Sequence, residues 1–497
     1  MASASALIVV FIAILAFLAF KYVPSVLEPV LWVSPNPLPK LEGVLASNNL
    51  LTVGLRKSTH ISANKNEEKN RVQYNLPFSG PESIVFDSMN GDAFVSLNDG
   101  TVAVFEASGR YKDRIFFTGR YIEKPSSLNG LQKSGNALLL NWCNKEAIAG
   151  YLAWNALAGK ICGRPLGLRF RIENSPEHPE GRKVLYILDA YHGLFLLDLQ
   201  TLSATHLVKP TSKIHISDTV TNPDPVITLP PLFFDDLDVF HSGADSEDVT
   251  VVFSDASYKH PINDYRREVL DGAPRGRLFK FTLSTGRLEV LLCGLHFPNG
   301  VQSFGSDNGE VLVAELARFR ILKVNTSSLA LSTNSLSGSD PCGESGYLHQ
   351  ALTHAEDSNT DNYQQFGVTI FYDSLPGILD NIRSAGINSD GKRSYFLAFG
   401  GISAQPSSIL WTIYQSKLMR EIIGRFVPMK VVERLEAPSG LVVEVDDNGK
   451  PLRSWHDPKG VNISRLSHAE RNPITGEIWL GSPSNDYIGI LKGDAIN

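Results

Sequence analysis

The feature that most constrains this chain is a phrase that recurs along it. Residues 294–324, GLHFPNGVQSFGSDNGEVLVAELARFRILKV, read as an apolar approach, an Asn299-Gly300 pair, a short strand, a turn cluster and two alternating strands. Strand, turn, strand, turn, strand is most of an antiparallel four-stranded sheet. Such a sheet cannot bury both faces alone and becomes stable when copies stack around an axis. Copies begin at Gly80, Gly163, Phe233, Phe297, Gly377 and Asn462. The starts lie roughly 60 to 85 residues apart, without helical periodicity between them. This predicts an all-β chain, a six-bladed β-propeller. The alternative is a pair of β-sandwiches, which have no reason to repeat one phrase six times.

The 497 residues, 43% of them hydrophobic, suffice for a large core. With 46 basic and 52 acidic side chains the net charge is -6, so no broad polyanion-binding surface is implied. No basic and aromatic cluster suggests nucleic acid.

Residues 6–20, ALIVVFIAILAFLAF, form an uncharged apolar run closed by Lys21. With residues 2–5 it approaches the length needed to cross a bilayer. A cleaved signal peptide is the competing reading, but no small-x-small cleavage pattern follows Phe20. We therefore expect a signal-anchor transmembrane segment over 1–22, a Pro-rich linker over 23–41 and a propeller over 42–497. Flanking charges do not set the orientation. The large globular part and two acceptor motifs, Asn325-Thr-Ser and Asn462-Ile-Ser, suit a single-pass type II protein. Its propeller would be lumenal or extracellular, in the endoplasmic reticulum and secretory pathway or at the plasma membrane.

Of the four cysteines, Cys143 and Cys162 could close a loop of about 20 residues, worth roughly 3 kcal/mol. Cys293, inside the apolar strand VLLCGL, reads as a buried free thiol. Cys342 is unassigned, and no Cys/His spacing suggests zinc. Between the linker and Gly80, a β-prone piece such as LLTVGL could complete the last blade. Residues 110–162 carry an Ala/Leu-rich stretch, 136–159, that would complete one blade and start the next. Residues 258–277 form a charged loop with a helical turn. Residues 325–365 look like a surface insertion. Residues 405–435 read as an amphipathic helix laid on one face of the ring.

Aligning the units on their innermost strands brings Glu82, Leu166, Asp235-Asp236, Asn299, Asp380-Asn381 and Ser464 into register at the strand starts. Innermost strands line a propeller's channel, so four blades aim a carboxylate or amide oxygen at one mouth. Glu, Asp and Asn oxygens without Cys or His are hard ligands and suit Ca²⁺. The alternative is that each residue caps its own turn.

The phrases CGRPLGLRF, LYILDAYHGLF, FPNGV, VLVAELARFRI and DNI, with SWHDPKG at 454–460, make the chain similar to the strictosidine synthase-like family. The resemblance is to its adipocyte plasma membrane-associated protein branch, in the wider paraoxonase and gluconolactonase-like superfamily. It implies a six-bladed propeller with a channel Ca²⁺ and hydrolysis of esters or lactones. On this resemblance the metal ligands fall on Glu82, Asp235, Asn299 and Asn381, with Asp380 beside the last. Relatives usually carry Asn where Asp235 stands. The paraoxonase His pair would fall on Leu166 and Ala190, which cannot act as bases. His192 and His260 are nearby in sequence but read as surface or packing residues. The plant synthase's Glu has no counterpart in GGISA, residues 400–404, so strictosidine formation is not expected. Two readings follow. One is a membrane-anchored, Ca²⁺-dependent arylesterase or lactonase, with Asp380 as base or nucleophile and a small-molecule ester or lactone as substrate. The other is a non-catalytic, Ca²⁺-stabilised propeller that binds a protein partner.

Overall fold

The computed structural model describes Ser25, Leu27, Pro29 and residues 41–46, 55–57, 79–117, 143, 156–175, 178–216, 226–227, 229–241, 248–305, 309–326, 342, 367–387, 391–402, 409–435 and 438–491. The apolar run 6–20 and most of the 325–365 insertion lie outside these residues.

Six sheets form a six-bladed β-propeller; five are four-stranded and antiparallel, and the third blade adds Ile214–Ile216, parallel to its fourth strand Arg287–Leu295, and Val226–Ile227 beyond it. The innermost strands are Ile84–Phe86, Pro165–Ser175, Phe234–His241, Pro298–Ser303, Gly377–Ile387 and His468–Arg471, in blades 1 to 6. Each packs on the inner strand of the next blade, and blade 6 packs on blade 1, so the ring closes. Closure buries the sheet faces that the two end blades of an open stack would expose. Blade 6 has only three strands from the C-terminal region, and Leu55–Lys57 supplies its outer strand by pairing antiparallel with Gly489–Leu491. Strand burial follows the blade stacking. Ile84, Val95, Ala103 and Trp479 are buried between blades 1 and 6, and Leu168, Leu185, Phe195 and Val102 between blades 1 and 2.

Three expectations are corrected. Blade 1 has its fourth strand at Tyr111–Ile115, and where the Ala/Leu-rich stretch is expected to start the next blade the described residues form a helix, Ala156–Cys162, before blade 2 begins at Pro165; the rest of that stretch, apart from Cys143, lies outside the described residues. The predicted helix over 405–435 is three short ones, Ile409–Gln415, Lys417–Phe426 and Met429–Leu435. Ser416 starts the second by accepting a bond from Met419 N at 3.2 Å, and Pro428, which cannot continue a helix, separates the last two. Finally, Cys293 is not a free thiol. It is bonded to Cys342, reaching across from the blade 4 insertion, and no sequence cue marks a partner 49 residues away. Cys143 and Cys162 are also joined, with Cα atoms 5.7 Å apart.

The three helices cap the face where the inner strands begin. Ile413, Tyr414, Ile423, Met429 and Val432 share one core with Leu166, Phe233, Phe297 and Leu375. Residues 258–277 also fold into this cap, around the helix Tyr265–Asp271, with the charges of Arg266, Glu268, Asp271, Arg275 and Arg277 buried. Arg420 donates to the Leu270 and Asp271 carbonyls at 2.6 and 3.1 Å, tying loop to helix.

Candidate functional site at the capped mouth of the channel

In four blades the inner strand breaks register at the same place. One extra residue is inserted between Pro165 and Gly167, Phe234 and Leu237, Pro298 and Val301, and Leu379 and Ile382. The bulges hold Leu166, Asp235-Asp236, Asn299-Gly300 and Asp380-Asn381. A bulge unpairs a residue and re-aims its side chain, which is how a strand can turn polar groups toward its end. The register aligns Asp235, Asn299 and Asp380 with one another, and Asn381 with Asp236 and Gly300.

Glycine at position 300 is required by close approach. A Cβ there would lie 2.7 Å from the Asp380 carbonyl oxygen and 2.8 Å from Asn381 Cα. Blades 4 and 5 therefore touch at this level, with Asn299 and Asn381 at the same end of the channel. Further bonds fix neighbouring backbones. Asn381 N donates to Ser467 O at 3.1 Å, and Ser467 Oγ donates to Glu82 O at 2.9 Å, linking blades 5, 6 and 1. Ser254 Oγ donates to Asn299 O at 2.7 Å, linking blades 3 and 4.

The side chains within this frame share one electrostatic environment. Burial, then the Asp380 and Glu82 charges, push the Asp235 carboxyl well above its usual range, with Asp236 adding and Arg164 opposing. Burial and the Glu82 and Asp236 charges likewise push Asp380 up, opposed by a hydrogen bond from Asn299 and by Arg383. Like charges held in a low-dielectric channel produce these shifts. Glu82 is buried, and its Oε2 accepts from Arg164 Nη2 at 2.5 Å.

Three oxygens test whether a hard cation suits this site. Asp235 Oδ2, Asn299 Oδ1 and Asn381 Oδ1 are each buried without a hydrogen-bond partner. A buried acceptor left bare costs about 1–3 kcal/mol, so three together call for a donor or a cation between them. Their chemistry, a carboxylate and two amides beside the further carboxylates Glu82 and Asp380, fits Ca²⁺. Among the described residues no group of three or more His, Cys, Asp and Glu side chains is placed to hold a metal. The fit therefore depends on the amide oxygens, and one Glu82 oxygen is already taken by Arg164.

Leu166 and Ala190 are buried in the cap core. His192 is held by Asp189, with Nδ1 to Oδ1 3.1 Å, and by the Lys160 carbonyl at 2.8 Å. His260 is buried against Asp271 at 3.1 Å. Neither belongs to the oxygen cluster. Gly400 faces Asp380, and a Cβ there would lie 3.8 Å from Asp380 Oδ2, leaving space beside that carboxylate. Ser464 is buried, and its carbonyl accepts from Ser482 Oγ at 2.6 Å.

Sequence reasoning missed the layer directly beneath. Asp236 is clamped bidentately by Arg383, Nη1 to Oδ2 2.7 Å and Nη2 to Oδ1 2.8 Å, with both side chains buried. Arg169 Nε donates to Asp238 Oδ1 at 2.6 Å. The available signal was the period-2 spacing of charges in LRFR and DDLD, which places them on the channel side of each inner strand.

A strictosidine synthase family profile matches residues 235–328. The chain is similar to adipocyte plasma membrane-associated protein of Rattus norvegicus, 30% identical over 336 residues, which is 67% of this chain and 71% of that one. It is 28% identical to the Bos taurus protein over 332 residues, 67% of this chain but under two thirds, 64%, of that protein. It is 29% identical over 417 residues to strictosidine synthase-like 13 of Arabidopsis thaliana, covering 83% of this chain and 77% of that one.

Proposed function

The chain belongs to the strictosidine synthase-like family, and from that premise we propose that it is a membrane-anchored, Ca²⁺-dependent esterase-like hydrolase of the arylesterase or lactonase type. The observation that carries this reading is the set of three bare, buried oxygens on Asp235, Asn299 and Asn381 at one mouth of the channel. With Glu82 they are the residues that would hold the ion. Bound there, Ca²⁺ would polarise an ester carbonyl and offset charge developing on its oxygen. Asp380, in register with two of these residues and with space beside it at Gly400, would take a proton from water or attack the carbonyl carbon. The apolar cap around Leu166, Ala190 and Phe297 would keep water from this end of the channel.

The membrane part of the proposal rests on the run 6–20 and on where the chain goes next. Leu27 is buried against the cap helix Lys417–Phe426; a Cβ on Gly424 would lie 2.9 Å from Leu27 Cβ. From Phe20 to Leu27 the chain spans at most about 25 Å. The same helix exposes Leu418, Met419 and Phe426 along one stripe, which would rest on that membrane. Among the described residues no helix is long and apolar enough to cross a membrane. Two disulfides support an oxidising compartment, where Asn325 and Asn462 are proposed as glycosylation acceptors.

Apolar Leu166 and Ala190, where a paraoxonase-like site would need bases, favour a second reading: a Ca²⁺-stabilised propeller that binds a protein partner. Aryl ester and lactone hydrolysis by the detergent-purified chain separates the two. We expect activity that chelation abolishes. Asp380→Asn should cost a factor of about 100 or more in rate at nearly unchanged melting temperature. If Asp380 is only a ligand, extra Ca²⁺ restores the rate. A folded chain inert on every ester and lactone contradicts the enzyme reading.

A further inference from the structure

We propose that the opposite mouth of the channel is a second binding site, for a small molecule bearing a carboxylate or phosphate group held between Arg171 and Arg471. A cavity of about 450 Å³ opens there, and every blade contributes to it, among them through Phe86, Arg171, Asp238, Gln302, Arg383 and Arg471. Asp238, Gln302 and Arg383 each follow Asp235, Asn299 and Asp380 by three positions on the inner strands. At about 3.3 Å per residue the cavity begins about 10 Å below the oxygen cluster. The Asp236–Arg383 clamp lies between the two, so the sites are separate.

The charges of this cavity do not cancel. Asp238 is matched by Arg169, at 2.6 Å, and also accepts from Ser303 N and Gln302 Nε2 at 2.5 and 3.0 Å. Arg383 is matched by Asp236. Arg171, Arg471 and the carboxyl of Glu470 remain. Arg171 Nη1 donates to Val239 O at 2.8 Å. Arg471 donates to Ala385 O at 3.0 Å and Gly476 O at 3.3 Å, and its guanidinium sits 5.3 Å from the centre of the Phe396 ring. These contacts fix both guanidiniums in place without neutralising them. Among the described residues neither forms an ion pair with a carboxylate.

A second observation points to a ligand. Arg383 is 2% exposed and lines the cavity, yet its Nε–H has no hydrogen-bond partner. The nearest carboxylate oxygen, Glu470 Oε2, is 3.8 Å away and lies 3.4 Å from His468 Nε2. Burial pushes the Glu470 carboxyl up to about 7, so near neutral pH its protonated form can donate to an oxyanion instead of repelling it. Water could accept from the bare N–H, but only an anion also balances the two fixed guanidiniums, and planar forks suit carboxylate and phosphate oxygens.

The test is calorimetric titration of the detergent-purified full chain with inorganic phosphate and, separately, succinate, against sodium chloride at matched ionic strength. Saturable one-site binding of either probe is expected, and which one binds identifies the headgroup. Affinity should fall at least tenfold in Arg171→Gln and in Arg471→Gln, and binding should vanish in the double variant. Arg471→Lys, which keeps the charge without the fork, should be intermediate and guards against a folding defect in the Gln variants. Asn299→Ala should bind the probe as the unaltered chain does, which separates this site from the proposed Ca²⁺ site. Heat no greater than the chloride control, or undiminished binding by the folded double variant, overturns the proposal.

Discussion

At single residues the channel runs on groups whose charge state burial has set. His296 is buried, donates from Nδ1 to Gly272 O at 2.7 Å, and burial pushes its pKa down to about 3. An unfolded histidine titrates near 6.5, so between these values the unfolded chain binds more protons. The stability due to His296 is therefore complete above about pH 6.5 and is lost as pH falls toward 3. His468, buried beside Arg383 and Arg169, is shifted in the same direction. Glu470 has the opposite sign. Its pKa is raised from 4.5 to about 7, so its contribution is full at low pH and lost as pH rises through that window. Denaturant unfolding at a series of pH values should show His296→Asn, which keeps a donor near Gly272, flattening the acid limb. An unchanged acid limb would mean that His296 does not titrate as described.

Among the elements, two attachments hold inserted segments onto the ring. The Cys293–Cys342 bond closes a loop with a sequence separation of 49 and joins the blade 4 insertion to the fourth strand of blade 3, Arg287–Leu295. The loop-entropy relation gives about 4 kcal/mol for a closure of that size. Cys293→Ala with Cys342→Ala should lower the unfolding free energy by a few kcal/mol; equal stability would show that the bond constrains nothing. The cap helix Lys417–Phe426 is the other attachment, with Leu418 58% and Phe426 47% exposed. A folded chain beginning at residue 23 should still float with lipid vesicles and should lose that binding on Leu418→Asp with Phe426→Asp. Equal flotation of both chains would remove the cap from the membrane contact.

For the whole molecule, the ring was the most legible part of the sequence. Turn-strand phrases recur because each blade must bury both faces against its neighbours, and that need writes the same pattern six times. The oxygen cluster was legible as a set of polar residues at strand starts, but the bulges that align Asp380 with Asn299 were not, since nothing local separates a bulge from a strand end. The clamp of Asp236 by Arg383 links blades 3 and 5 across the channel, a pairing set by ring closure rather than by neighbours in sequence. The Cys293–Cys342 bond was illegible for the same reason.

The central claim is that Asp235, Asn299 and Asn381, with Glu82, hold a Ca²⁺ ion on which hydrolysis depends. Calorimetric titration of the chelator-stripped full chain with Ca²⁺, followed by ester hydrolysis in the same samples, tests it most directly. The account predicts one saturable site, with stabilisation of about 2.7 kcal/mol at a hundredfold excess over Kd. Activity should rise along the same isotherm, and both should shift to higher Ca²⁺ in Asn299→Ala. No Ca²⁺ binding by the folded chain, or hydrolysis that proceeds in full without it, would contradict the claim.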